Sequence, residues 1–279
     1  VAQIKLGTRA EEEEEEAGGS REEKIEISPL HVRKRSMLSQ ILAGILVNSV
    51  YEMRNYPIVL VNTVLSPLSF LLLITFVSRG ALLGEAVEGG LIMSMFSAGM
   101  SLQADLSHLK NDFKLQDMVV SSPTPWFSYV TGIAASEIVY SLPALVVLGI
   151  LAAYFVHTTE FGVVELLLVL FLMFLTSIAL GYTFATLSSD IVQSFAFSRL
   201  LSTLFSTIPP VYYPITYIPL PFRYLAYLSP TTYAAELAQN ATGYLSLQRF
   251  MILFDWVVLI GVTAVLLGIA TKKARWREA

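Results

Sequence analysis

Few residues in this chain could do covalent chemistry. Its three histidines, His31, His108 and His157, lie far apart, and none sits in the H-E-x-x-H frame that brings two imidazoles to one zinc ion. A zincin-like intramembrane protease is therefore not indicated. None of the seven lysines follows a glycine, so the chain lacks the G-x-x-x-x-G-K-[ST] loop whose backbone amides cradle phosphates and cannot bind ATP by that route. It has no G-x-S-x-G elbow to expose a serine nucleophile. It has no cysteine, which removes disulfides and thiolate metal sites and leaves the redox compartment unreadable. Among the carboxylates, Glu137 stands out inside a long uncharged stretch. A carboxylate at membrane depth costs about 2.5 kcal/mol or more, so Glu137 should face protein or water. It could contact a polar pathway, carry a proton, or bond to a neighbouring helix. Asp255 and Arg249 are six apart and need not pair, and Arg199 can snorkel to an interface.

The elements that must position these groups follow from composition. The chain has 279 residues, 54% hydrophobic and 14% charged, with a mean hydropathy of +0.63. Soluble domains carry about 25% charged residues, so this composition points to a membrane protein. Residues 1–36 hold seven of the 18 Lys and Arg and nine of the 22 Asp and Glu, which leaves the remainder poorer still in charge. The run Glu11–Glu16 alone exceeds the net charge of -4, so the balance does not speak for a nucleic-acid partner.

Crossing the hydrocarbon core takes about 20 apolar residues in a helix. Six stretches qualify: Asn55–Ser78, Gly89–Ala104 (short, so extending into a flank), Trp126–Val156, Leu166–Ser189, Ile191–Ile208 and Phe250–Thr271. An even count puts both termini on one side. With the termini inside, eleven Lys and Arg of the short loops and ends are cytoplasmic against three, Arg79, Arg223 and Arg249, outside. Residues 1–28 do not read as a signal peptide, because an acidic run stands where a basic and then apolar segment should be. Residues 1–36 read as a disordered acidic tail, either solvated or docking a basic partner.

Met37, Leu38, Ile41, Leu42, Ile45, Leu46, Val50 and Met53 recur at helical spacing, with Ser39, Gln40, Asn48 and Glu52 on other faces. Following the basic cluster Arg33–Arg35 and ending at Pro57, residues 37–56 read as an amphipathic helix in the interface plane. A further short span is the alternative; it would make the count odd and strand the basic tail 273–279 outside. Residues 105–125 form the main internal polar segment, where Leu106, Leu109 and Phe113 make a narrow stripe on a short helix that could dock a soluble partner or be a solvated connector. Residues 209–247 carry six prolines yet are apolar and aromatic, and so read as a re-entrant outer hairpin covered by protein. Its tyrosines suit an interfacial belt. Asn240, Ala241 and Thr242 form a glycosylation sequon.

In order, these features resemble the permease subunit of type 2 ATP-binding-cassette exporters. Leu115–Gly132, LQDMVVSSPTPWFSYVTG, is similar to the family's cytoplasmic helix that ends at a Ser-Pro pair and enters the third span. Tyr213–Pro230, YPITYIPLPFRYLAYLSP, looks like its outer Tyr-Pro, Pro, Arg and Pro pattern, with Tyr213, Pro214, Pro219, Arg223 and Pro230 as its marks. The likeness covers about residues 37–275. It implies an all-α polytopic protein with six transmembrane helices in a transmembrane domain at 57–272, an N-terminal interfacial helix and the outer hairpin, in the cell membrane with both termini cytoplasmic. It also implies a homodimer of permeases and a separate ATP-binding-cassette subunit docked at about Asp105–Met118, through Leu106, Leu109, Lys110, Phe113, Lys114 and Asp117. ATP and Mg would sit on that partner and no cofactor on this chain, which would be a transport subunit and not an enzyme. Substrates of such exporters are drugs, lipids or polysaccharides. A stand-alone secondary transporter or a non-transport membrane subunit is the alternative; the former should show a repeated half and several intramembrane ionisable groups. No repeat is evident, and Glu137 looks nearly alone.

Overall fold

The computed structural model describes residues 36–111, 126–188 and 190–273, and among them all regular structure is helical. The elements are α1 (Met37–Ile45), a π-helical turn (Leu46–Val50), α2 (Tyr51–Asn55), α3 (Ile58–Val77), α4 (Leu83–Asn111), α5 (Trp126–Phe155) and α6 (Glu160–Leu187). They continue with α7 (Ile191–Thr207), a 3-10 turn (Ile215–Tyr217), α8 (Leu220–Ala226), α9 (Pro230–Ala241) and α10 (Arg249–Lys273). The acidic tail and the whole segment 112–125 lie outside the described residues, as does the end of the basic tail.

Helix ends fall where the sequence supplies caps. Ser36 accepts a hydrogen bond from the Ser39 amide at 3.3 Å, Thr159 from that of Gly162 at 3.2 Å, Asp190 from that of Gln193 at 2.7 Å and Ser229 from that of Thr231 at 3.3 Å. Each takes up an amide that a helix start leaves without an intrahelical partner. Pro230 follows the Ser229 cap at the first helical position, where a missing N–H costs nothing.

Four of these helices are long and apolar enough to cross a membrane, over Leu60–Val77, Val130–Phe155, Glu160–Ala185 and Arg249–Lys272. They are not equivalent. In the apolar window of α6, 44% of residues are buried, against 11% in α3. So α6 is central, and α3 turns Val61, Leu65, Leu72 and Phe76 outward. The helix α4 is the opposite case: every residue from Gly84 to Phe96 is buried. An interior helix needs no lipid-facing stripe, so it can be rich in Gly, Ser and Glu and fall short of the composition of a span. The uncharged stretch Gly89–Ala104 thus extends into both flanks, and Asp105–Asn111 are the last turns of α4 rather than the start of a separate connector. Twenty-nine residues make about 43 Å of helix, more than the roughly 30 Å hydrocarbon core.

Close backbone approach organises the packing. A Cβ on Gly181 would lie 2.6 Å from the Gly99 carbonyl oxygen, and one on Gly99 would collide with Ser177 and the Ile178 amide. These residues seat α4 directly on α6. A Cβ on Gly44 would lie 3.3 Å from Gly132, so α1 rests on α5 at a second such point. The π turn that follows buries Ser49, whose hydroxyl donates to Ile45 O at 2.8 Å. Around this contact Leu38, Leu42, Leu46 and Val50 of the apolar stripe stay exposed.

Gly99→Ala should lower the thermal melting point in detergent, equivalent to about 1–3 kcal/mol of overpacking. Gly149→Ala, where an added Cβ meets nothing within 4 Å, should be neutral or stabilising by up to about 1 kcal/mol through reduced chain entropy. Equal melting of the two variants would contradict the close-packed α4–α6 contact.

Candidate functional site

The described bundle has two polar ends. At one, α4 finishes and α7 begins. Gln103 Nε2 donates to Ser194 O at 3.0 Å, Ser107 Oγ donates to Ser194 Oγ at 2.7 Å, and Ser194 Oγ donates to Gln103 O at 3.3 Å. All three residues are buried, and they lock the end of α4 to the first turn of α7. Of the six residues expected to dock a partner, Leu106 is half-buried beside Leu102, Ile133, Tyr182 and Ala270. Leu109 and Lys110 occupy the last turn of α4. Phe113, Lys114 and Asp117 lie outside the described residues.

One layer inward from this end, Glu137 is not alone. It is 5% exposed and shares a hydrogen bond with Asp105 of α4. Tyr140, one turn further along α5, donates a long 3.5 Å hydrogen bond to Glu52 Oε1 of α2. Three helices thus bring three carboxyl groups and a phenol together, where sequence reading saw one isolated glutamate. The Glu52 carboxyl is pushed above its ordinary range, first by burial and then by the Asp105 charge, with the Tyr140 hydrogen bond opposing. Gln103, Ser107 and Ser194 carry no motif that would single them out from the sequence, and Asp105 was legible only as part of a polar segment.

The other end is where α3 passes to α4 and α5 to α6. The segment 209–247 sits here: Thr158 Oγ1 donates to Ala241 O at 3.0 Å and Tyr244 Oη to Phe155 O at 3.0 Å. Arg223 donates from Nε to Ile218 O at 2.7 Å and from Nη2 to Thr216 O at 2.8 Å, tying the 3-10 turn to α8. Pro214 starts that turn, Pro219 caps α8 and Pro230 opens α9. Tyr213 and Pro219 also line a groove of about 440 Å³ together with Phe222 and Leu225. The sequence-marked residues of this segment therefore shape its backbone.

Behind them α9 is buried from Pro230 to Gln239 and packs on α4, α6 and α10. Its Glu236 accepts from Tyr227 Oη at 3.0 Å and hydrogen-bonds Asp255 of α10. Asp255 thus pairs within the bundle, while Arg249 is exposed. Glu85 and Glu88 of α4 are buried at this end too. Glu88 is fully buried, with the Thr242 hydroxyl as its hydrogen-bonding neighbour. The expectation that Glu137 is nearly the only buried acid is corrected by these four residues. Glu85 and Glu88 were hidden by placing the start of the second apolar stretch at Gly89, and Glu236 by reading its hairpin segment through its prolines and aromatic residues alone.

The model of the ABC-2 type transporter family matches residues 36–242. The chain belongs to this family. A comparison with curated proteins gave no match. The chain is thus the permease component of an ABC-2 transporter, a multi-pass membrane protein with a transport role, and the stand-alone secondary transporter is displaced. In this ABC-2 permease the match runs from the N-cap of α1 to the residue after α9, so it takes in the polar end at Gln103 and the buried α9 and leaves α10 beyond it.

Because the folded state raises the Glu52 carboxyl above its ordinary 4.5, it favours the protonated form. Stability from this group is complete below pH 4.5 and is lost as pH rises through the raised value. Glu52→Gln, which keeps the acceptor for Tyr140, should melt like the wild type at acidic pH and higher than it at neutral pH. A wild type that melts higher than the variant at neutral pH would contradict the acidic cluster.

Proposed function

We propose that this permease works as a homodimer in an ATP-driven exporter, with ATP and Mg held by a separate ATP-binding-cassette subunit. The family match carries the reading. The missing phosphate loop agrees with it, since the nucleotide must then bind elsewhere. In this reading α3 to α7 and α10 are six spans, with α4 and α7 as the second and fifth. The stretch α1 to α2 lies in the interface with Leu38, Leu42 and Leu46 toward lipid, and 209–247 is a re-entrant outer hairpin. Both termini face the cytoplasm, as the distribution of Lys and Arg favours. The substrate is of the drug, lipid or polysaccharide type, moved outward across the cell membrane.

The partner docks on 105–118, with Leu109 and Phe113 as apolar anchors, because buried apolar side chains at the centre of an interface carry most of its energy. The rigid connection of α4 to α7 through Gln103, Ser107 and Ser194 supports this reading. Movement imposed on the end of α4 reaches the central α4–α6 contact without passing through a flexible joint.

Phe113→Asp should detach or uncouple the ATP-binding subunit, lowering co-purification and transport-linked ATP hydrolysis at unchanged membrane insertion. Full attachment and coupling would remove this segment from the docking role. For topology, the cysteine-free chain permits direct labelling with a membrane-impermeant thiol reagent. Ser246→Cys, exposed and free of the left-handed backbone at Gly243, should react from outside, and Thr271→Cys only after the membrane is opened. The reverse pattern would invert the orientation.

A further inference from the structure

A cavity of about 530 Å³ opens among α4, α5 and α6, lined by apolar groups such as Leu91, Met95, Leu145, Gly149, Leu170 and Phe174. Among the described residues its one polar lining residue is Thr158, at the α5–α6 connection. There it meets a second cavity of about 600 Å³, which shares Val156 and Thr158 with it and adds His157, Thr159 and Asn240. The pair makes an apolar cleft with a polar mouth. Along α6 the cleft runs from Val163 to Phe174, about 16 Å of helix and half of the roughly 30 Å hydrocarbon core. Gly149 and Ala153 of α5 and Leu167 and Phe171 of α6 line it and are exposed, within two spans, so hydrocarbon is the medium it meets.

The mouth selects by chemistry. The Thr158 hydroxyl is spent on Ala241 O. The Thr159 oxygen accepts from the Gly162 amide and keeps its proton to donate. Asn240 Oδ1 accepts from the Leu247 amide at 3.1 Å, which leaves its carboxamide N–H groups as donors. With the exposed His157 these groups suit a phosphate or ester oxygen. Among the described residues no lysine or arginine lines either cavity, and the exposed Glu160 stands next to Thr159 in the chain. That carboxylate disfavours a net anionic head and suits an ammonium group.

We propose that this cleft binds one amine-headed zwitterionic phospholipid, with an acyl chain among α4, α5 and α6, its phosphate at Thr159 and Asn240, and its ammonium at Glu160. The site rests on α5 and α6 crossing the membrane and is independent of how ATP is coupled. The test is native mass spectrometry of the intact detergent-purified protein, offered phosphatidylethanolamine or phosphatidylglycerol with the same acyl chains. The wild type should retain phosphatidylethanolamine about tenfold better, a difference of about 1.4 kcal/mol. Gly149→Phe, which fills the cleft from a position with open space, should lose most of that retention, while Gly261→Phe on the outer face of α10 should keep it. Glu160→Gln should erase the discrimination at an exposed position that disturbs no packing. Equal retention of both lipids by the wild type, unchanged retention in Gly149→Phe, or unchanged discrimination in Glu160→Gln would each overturn the site.

Discussion

The contact of α4 with α6 at Gly99 and Gly181 is the constraint on which the rest of the bundle depends. Hydrocarbon gives apolar helices no hydrophobic reason to associate, so they associate through close packing and interhelical hydrogen bonds. Here two backbones meet without intervening side chains, and Ser177 Oγ, beside them, lies 3.2 Å from Met95 O. On its other side α6 is joined to α10 by the 2.6 Å hydrogen bond between Thr176 and Thr263. With α4 and α6 in register, Gln103 and Ser107 meet Ser194 at one end. At the other, Gly89 lets the Val211 carbonyl approach α4 while α9 fills the space between α4, α6 and α10.

This arrangement also governs the acidic groups. An isolated charge withdrawn from water is expensive, so buried acids gather partners or share protons. Asp105 and Glu137 meet near one end, and Glu236, Asp255 and Tyr227 meet near the other. None of these groupings is local in sequence. The interior position of α4 leaves Glu88 fully buried at 0% exposure. The ABC-2 permease therefore concentrates polar groups toward both ends of a helix pair that is tightly packed in the middle.

What the sequence determined by itself were features set by solvent and local backbone chemistry. Length and apolarity mark α3, α5, α6 and α10, and the capping residues and prolines mark where helices begin and stop. The order of these features was enough to bring the permease family into view. The tertiary structure alone decided which helices are interior. The helix α4 reads as a short, weak span because a helix shielded by its neighbours is under no pressure to be apolar all round, and its described residues, Leu83–Asn111, run at both flanks into sequence that looks like loop. The same holds for α9, whose buried Glu236 finds hydrogen-bond partners in Tyr227 and Asp255, outside its own helix. Pairings such as Glu137 with Asp105 join residues from separate helices, and no periodicity within one helix encodes which face another helix will cover.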